Sequence, residues 1–352
     1  ISWLEDFLAD YDKIVIVVSH DRHFLNQVCT QMCDVDFGKI KMYVGNYDFW
    51  LQSSRLAAQM HADANAKKEE KIKELNDFIA RFSANASKSK QATSRKKQLE
   101  KITLDDIKPS SRKYPFVKFE SQRDLGNDLL RVENVSKTID GVKILDNINF
   151  TIRPGEKAAI LSRSDLAQTT MMQILAGTLK PDTGTVKYGQ TVITSSLPRD
   201  LDANFNNEEL SILDWLRQYA TKEQNDNTFL RGFLGKMLFS GDDIQKQIKV
   251  LSGGEKVRCM LSKMMLEQGN TLLLDDPTNH LDLESITSLN DALVSFNGSV
   301  IFTSHDHEFI STIADHLVEI SDNGSIDRAE TTYDEFLAHE IVRQQVAKLY
   351  EK

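Results

Sequence analysis

The stretch from Val250 to Asp282 constrains this chain more than any other. Ser252-Gly253-Gly254-Glu255 opens a run of helical character, and Thr271-Leu272-Leu273-Leu274 leads into Asp275-Asp276. Ser252 is a good N-cap, because its hydroxyl can accept one of the first helical N–H groups. The two glycines let a phosphate approach the backbone N–H groups at the helix start. An apolar run closing on carboxylates reads as a buried strand that delivers Asp275 to Mg²⁺ beside a nucleotide's phosphates. Such a stretch calls for a phosphate-binding loop upstream.

That loop has an evident place. Leu129 to Val135 alternates as a strand does, Asp140-Gly141 marks a hairpin turn, and Ile144 to Ile152 is the next strand. Lys157 to Leu161 reads as a buried strand, Ser162 to Thr170 as a loop, and Thr170 to Ala176 as the helix it feeds. Strand, loop, helix is the architecture that carries a phosphate-binding loop. Residues 207 to 249 read as mostly helical, with Ile212 to Leu216 and Phe229 to Phe239 as the apolar runs.

The chain repeats part of itself. Ile286-Thr287-Ser288-Leu289 parallels Ile1-Ser2-Trp3-Leu4, and Phe302-Thr303-Ser304-His305-Asp306 parallels Val17-Val18-Ser19-His20-Asp21, at one offset of 285 residues. A period this long signals duplicated domains rather than a solenoid. Residue 1 matches Ile286, just past the Asp282 motif, so the first copy lacks a phosphate loop, a Ser-Gly-Gly turn and paired carboxylates. Residues 1–52 are expected to be the C-terminal remnant of that copy, with a strand at Lys13 to Val18 and its end at Gly45 to Leu51. With no starting Met, the chain is expected to be a fragment or a processed product.

Charge divides the chain as well. From Ser53 to Lys118 there are 16 Lys/Arg against 8 Asp/Glu, an excess of +8; with −9 for all 352 residues, the rest carries −17. A local polyanion contact follows from such a basic insert on an acidic body. Lys67-Lys68-Glu69-Glu70-Lys71 supports a solvated helix, and a second helix is expected over Lys90 to Lys101, so that residues 53–118 form a hairpin projecting about 40 Å at 1.5 Å per residue. Arg81, Lys88, Lys90, Arg95, Lys96, Lys97 and Lys101 cluster at and after the turn, where they would neutralise phosphates in a salt-dependent way. A solvated interdomain spacer is the plainer alternative. Phe78 and Phe82 are expected to pack between the helices.

No apolar run approaches the roughly 18–20 residues that span a bilayer. Cys29, Cys33 and Cys259 lack metal or redox spacing and fit reduced, buried thiols, the first two at i,i+4 on one helix.

These residues resemble an ATP-binding cassette protein. Leu251 to Glu255 is similar to the family's signature motif, Leu272 to Asp275 to its Walker B strand, Leu281-Asp282 to its D-loop, and His305 and His20 to its switch histidine. Two cassettes, a basic helical linker and Pro277 to Asp282 resemble the ABC-F class and, within it, the YbiT/YkpA-like branch. The resemblance implies an α/β P-loop NTPase fold: a second cassette over 119–338 with a helical subdomain at about 207–268, and a C-terminal helix at 339–352. It implies ATP and Mg²⁺ as cofactors, the ribosome with tRNA or rRNA as partner, no membrane, and a cytoplasmic location. Ser252, Gly253 and Gly254 would cover ATP held by the first cassette, whose own loop is missing here.

The loop departs from the family's pattern, G-x-x-G-x-G-K-[ST]. Ser162, Asp165 and Ala167 fill the three glycine positions, and Gln168 replaces the lysine that neutralises phosphate. Ser162, Arg163, Ser164, Asp165, Ala167, Gln168, Thr169 and Thr170 are the candidate nucleotide contacts, with Thr169 and Asp275 as Mg²⁺ ligands. Asp276 stands where the family has its catalytic Glu, with His305 beside the terminal phosphate. Ile139 stands where an aromatic stacks on adenine. The loop then binds nucleotide weakly with poor turnover, or binds none as a structural remnant, or reflects sequence damage. Three functions compete: an ABC-F ATPase on the ribosome, a transporter's ATPase subunit, which the fused cassettes and linker argue against, and a non-enzymatic assembly module.

Overall fold

The computed structural model describes residues 2–82, 112–205 and 209–350. The chain divides into two units, Ile1–Arg112 and Lys113–Lys352.

The first unit opens with helices α1 (Ser2–Ala9) and α2 (Arg22–Val28), the latter capped by Asp21, whose carboxylate accepts Phe24 N–H at 3.0 Å. Strands β1 (Gln31–Asp36) and β2 (Lys39–Val44) pair antiparallel around Phe37-Gly38, both left-handed at φ 48° and 71°, the backbone of a two-residue hairpin. Helix α3 (Tyr47–Phe82) follows with 36 residues, about 54 Å of helix, and runs without a break across the expected boundary at 52–53. Arg112 pairs with Asp34 at 2.6 Å and lies over the Trp50 ring.

Two expectations fail in this unit. Residues 14–18 form no strand, and Ile14, Ile16 and Val18 are almost fully exposed. Their counterparts at 299–303 lie between two strands; no described strand of the first unit pairs with 14–18, so their backbone groups have no ladder to join. Cys29 and Cys33 do not share a helix: Cys29 ends α2 and Cys33 is exposed on β1.

The second unit begins with segment 113–119, which packs on that unit. Phe116 N–H donates to Lys236 O at 2.8 Å, and Phe119 packs edge-on against Phe296. Strands β3 (Leu130–Ile139) and β4 (Val142–Ile152) form the expected hairpin, with Asp140 and Gly141 left-handed at φ 51° and 80°. Then come β5 (Lys157–Leu161), α4 (Asp165–Leu175), β6 (Thr183–Tyr188) and β7 (Thr194–Leu197). The helical region holds α5 (Ile212–Arg217), α6 (Asn227–Lys236) and α7 (Gly253–Glu267). After it follow β8 (Thr271–Asp275), α8 (Leu283–Ser295), β9 (Ser299–Thr303), α9 (His307–Ile313), β10 (His316–Ser321), β11 (Gly324–Ala329), α10 (Tyr333–Ala338) and α11 (Glu340–Leu349).

Six strands form one sheet in the order β11-β10-β5-β9-β8-β7, parallel except for β11. Three more, β4-β3-β6, form an antiparallel sheet. Strands covered on both faces explain the unbroken apolar runs. Leu272 and Leu274 enter one core with Trp215, Met260 and Leu289, while Leu273 turns to the other with Val135, Ile148 and Met171.

The 285-residue offset survives in three dimensions. Helix α2 matches α9, β1 matches β10 and β2 matches β11, residue for residue. Asp306 caps α9 through Phe309 N–H at 3.0 Å, as Asp21 caps α2.

Candidate functional site

The central strands β5, β9 and β8 end side by side, so their next residues meet at one crest: Ser162, Ser304-His305 and Asp276. Crevices at the carboxyl ends of parallel strands are where α/β sheets bind ligands.

Asp275 is buried, and Thr303 Oγ1 donates to its Oδ1 at 2.8 Å. Burial raises the Asp275 pKa, opposed by Thr303, Thr169 and the Arg199 charge. Asp276 takes a left-handed backbone, φ 52°, which Asp tolerates better than most residues. Its N–H donates to Thr303 Oγ1 at 2.9 Å. Burial also raises the Asp276 pKa, while His305 and Arg199 lower it and Asp165 adds repulsion.

The expected loop over Ser162–Thr170 is shorter than the sequence suggests, and the helix does not wait for Thr170. Helix α4 starts at Asp165, with Ser164 as N-cap accepting Ala167 N–H at 3.3 Å. None of Ser162 to Thr170 takes a left-handed φ. With serine and aspartate in place of glycine, the segment between β5 and α4 closes as a helix N-cap. Ala167 and Thr170 are buried, so these two face the protein. The Gln168 amide is buried as well and points back toward Ile160 O, 3.5 Å away.

Thr169 Oγ1 is buried beside Asp275 without a well-formed hydrogen bond. A buried hydroxyl lacking a partner next to a carboxylate fits the donor set of a Mg²⁺ ion. The cradle for a polyphosphate does not fit: it lacks glycine, its lysine position holds a buried amide, and Asp165 projects a carboxylate at the helix start. Among the described residues no group of three or more His, Cys, Asp or Glu side chains could hold a metal ion.

Arg199, not singled out from the sequence, stands in the middle of the site. It follows β7, so it arrives at the same crest. Its Nη2 lies 2.9 Å from Asp165 Oδ2 and 3.6 Å from Asp276 Oδ2. His305 Nε2 lies 3.2 Å from Asp165 Oδ1. The one signal for Arg199 was its position at a strand end beside the Walker B strand, a relation visible only once β7 is placed next to β8.

Tyr350 was missed too. Its hydroxyl accepts Arg163 N–H at 2.9 Å and donates to Glu319 at 2.6 Å, while the Arg163 guanidinium lies 4.2 Å from the ring centre. Burial and the Glu319 charge push the Tyr350 phenol up to about 12. Arg163 is therefore held against the segment after α11.

The Ser252 turn forms a complete capping box. Ser252 Oγ accepts Glu255 N–H at 3.3 Å, and Glu255 Oε2 accepts Ser252 N–H at 2.8 Å. Its glycines are helical and packed: a Cβ on Gly253 would lie 2.9 Å from His280 Cγ, and one on Gly254 2.8 Å from the His280 backbone oxygen. Glycine is required there by close approach to His280, in the loop after β8. Lys256 pairs with Asp202 at 2.6 Å, and Arg258 lies over the Phe239 ring.

Of the basic cluster, Lys88, Lys90, Arg95, Lys96, Lys97 and Lys101 lie outside the described residues, as does the expected second helix. Arg81 sits in the last turn of α3, its side chain outside the description. No helix among the described residues is long and apolar enough to cross a membrane.

Comparison with known proteins agrees with this architecture. A family model described as ABC transporter matches residues 145–279, and an extension model under the same description matches residues 33–119. The chain is 58% identical over 350 residues to the ABC transporter ATP-binding protein YkpA of Bacillus subtilis (strain 168), covering 99% of this chain and 64% of that protein. It is 44% identical over 327 residues to the probable ATP-binding protein YbiT of Escherichia coli O157:H7, covering 93% of this chain and 61% of the relative. ABC transporter F family member 2 of Arabidopsis thaliana is 31% identical over 331 residues, covering 94% of this chain and 48% of its own length. The chain thus spans about three fifths of the first two relatives and half of the third. Among solved structures, an ATP-binding subunit of an ABC transporter superposes with a TM-score of 0.51 at 17% identity, over 63% of this chain and 100% of the other, a likeness of fold.

Proposed function

Because the chain belongs to the ATP-binding cassette family, we propose that it works as an ABC-F type translation factor on the ribosome, in the cytoplasm, with a second cassette that turns ATP over slowly or not at all. The observation that carries this reading is α3, a 36-residue helix that leads into the basic segment beginning at Arg81. The helix itself is balanced, with six Lys/Arg against six Asp/Glu, and the excess follows it, ten against three over 83–118, where unbalanced Lys and Arg suit the phosphate backbone of tRNA or rRNA.

In this reading the two parts of the second unit have unequal tasks. The Ser252 turn keeps its cap and glycines, and serves the ATP of a partner cassette. Thr169 and Asp275 would hold Mg²⁺, which when bound would offset phosphate charge; Asp276 and His305 flank that position. The Asp165 and Gln168 substitutions leave the loop without the cation and glycines that hold a triphosphate.

Co-sedimentation with ribosomes across a salt series tests the proposal. Binding should fall steeply with salt, and Lys96→Glu with Lys97→Glu should weaken it further. Absence of binding at low salt, with no effect of charge reversal, would end the ribosome reading. The same loop favours a second reading, a cassette retained for assembly without turnover. A Mg²⁺–ATP titration comparing the chain with Gln168→Lys separates weak binding from none.

A further inference from the structure

The misfit between the loop and a polyphosphate has a structural consequence beyond weak binding. We propose that the Asp165 carboxylate is a built-in substitute for a nucleotide's terminal phosphate, holding the crest of the second cassette in a nucleotide-independent arrangement. This inference rests on the reading of residues 162–169 as a degenerate phosphate loop, and is independent of the ribosome.

Three observations converge. First, Asp165 is the opening residue of α4, where the helix dipole and free N–H groups favour negative charge. Second, both carboxylate oxygens are engaged by groups from other elements: Oδ2 by Arg199 Nη2 at 2.9 Å and Oδ1 by His305 Nε2 at 3.2 Å. Third, Arg199 also reaches Asp276, 3.6 Å away, so the guanidinium that holds Asp165 also stands at the end of β8.

A terminal phosphate bound here would stand in the same relations: itself the anion at the helix start, beside a histidine at the β9 end, with a cation between it and the acidic pair. Asp165 supplies the anion from the chain itself, and Arg199 supplies the positive charge that Gln168 cannot. The ends of β5, β7 and β9 are linked through the Asp165 carboxylate, and Arg199 extends the link to Asp276 at the end of β8, without a ligand. An incoming phosphate would have to displace Asp165 from Arg199 and His305 while being repelled by it.

Asp165→Asn keeps the size of the side chain and removes the charge. The full chain and this variant are titrated with a fluorescent ATP analogue and Mg²⁺, and the His305 side-chain NMR signal is followed with a non-hydrolysable ATP analogue. The unaltered chain should bind weakly, with a His305 signal that barely moves. The variant should bind roughly tenfold more tightly, with a His305 signal displaced in the free state and moved again by nucleotide. Asp165→Gly, read in the same way, covers the case in which the asparagine variant fails to fold. Equal affinity in the chain and its folded variants, or a His305 signal indifferent to the loss of the carboxylate, would overturn the proposal. Ribosome sedimentation of the same samples reports separately on the proposed function.

Discussion

Thr303 on β9 and Asp275 on β8 are joined across the sheet by a 2.8 Å hydrogen bond, and the same threonine oxygen accepts the Asp276 N–H at 2.9 Å. One hydroxyl thus orients both acids of the pair. Parallel pairing of Asp275 with Thr303 places it there, because directly paired residues on neighbouring strands project to the same face.

Replacing Thr303 by Val keeps the shape and removes the hydroxyl. A buried carboxylate then loses its donor, a change worth about 1–3 kcal/mol. Urea unfolding should show a lower midpoint for Thr303→Val with an unchanged slope, while Thr303→Ser should stay near the parent. Equal midpoints for the valine variant and the parent would remove the orienting role.

His316 tests pH dependence. Its ring is buried between Glu156, 2.8 Å from Nδ1, and Asp327, 2.6 Å from Nε2. A neutral imidazole donates from one nitrogen only, so two carboxylate contacts select the imidazolium. Burial lowers the His316 pKa, but the hydrogen bonds and charges of Asp327 and Glu156 outweigh it and leave the value raised above 6.5. A raised folded pKa means stability that is complete below about 6.5 and lost as pH rises through the folded value. The melting-temperature gap between the parent and His316→Gln should be widest near pH 6 and narrow toward pH 9. A gap independent of pH would refute the imidazolium.

Tyr350→Phe removes one hydroxyl that lies within hydrogen-bond reach of Arg163 N, Glu319, Ile320 O and Ser162 Oγ. Arg163 N–H loses its acceptor and the buried Glu319 carboxylate loses its donor. The expected loss is about 1–3 kcal/mol, measured by thermal unfolding. Protease sensitivity after α11 should increase in the same variant, since Tyr350 ties that end to the loop.

Gly254→Ala places a methyl 2.8 Å from the His280 carbonyl oxygen, a backbone atom that cannot rotate away. Ala favours helix intrinsically, so a freely exposed helical glycine would gain stability from the change. Here overpacking should win, by about 1–3 kcal/mol. Denaturant unfolding decides by sign: a stabilised alanine variant would show that His280 yields.

The sequence alone determined the features that depend on neighbours along the chain. Strand β5 was expected at the residues where it forms, Ser252 with Glu255 was legible as a helix start, and Asp140-Gly141 announced its hairpin. The 285-residue repeat was legible as well and carries through to matching caps at Asp21 and Asp306. These features rest on side-chain period, caps and turns, which act within a few residues.

Tertiary structure decided what depends on distant partners. Residues 14–18 are the counterparts of 299–303 at the 285-residue offset and are more apolar still, yet they form no strand, because a strand needs a paired edge and composition cannot supply one. Asp165 read as a residue filling a glycine position of the loop; only the placement of β7 and β9 showed it bound to Arg199 and His305. Tyr350, 187 residues from Arg163, had no local signal at all. Glycines 253 and 254 read as openings for an anion; the fold adds a second demand, since the His280 ring at Gly253 and the His280 carbonyl oxygen at Gly254 occupy the space a Cβ would need. Local pattern specifies where elements start and stop; which side chains meet at the ends of parallel strands is set by strand order, which links residues far apart in the chain.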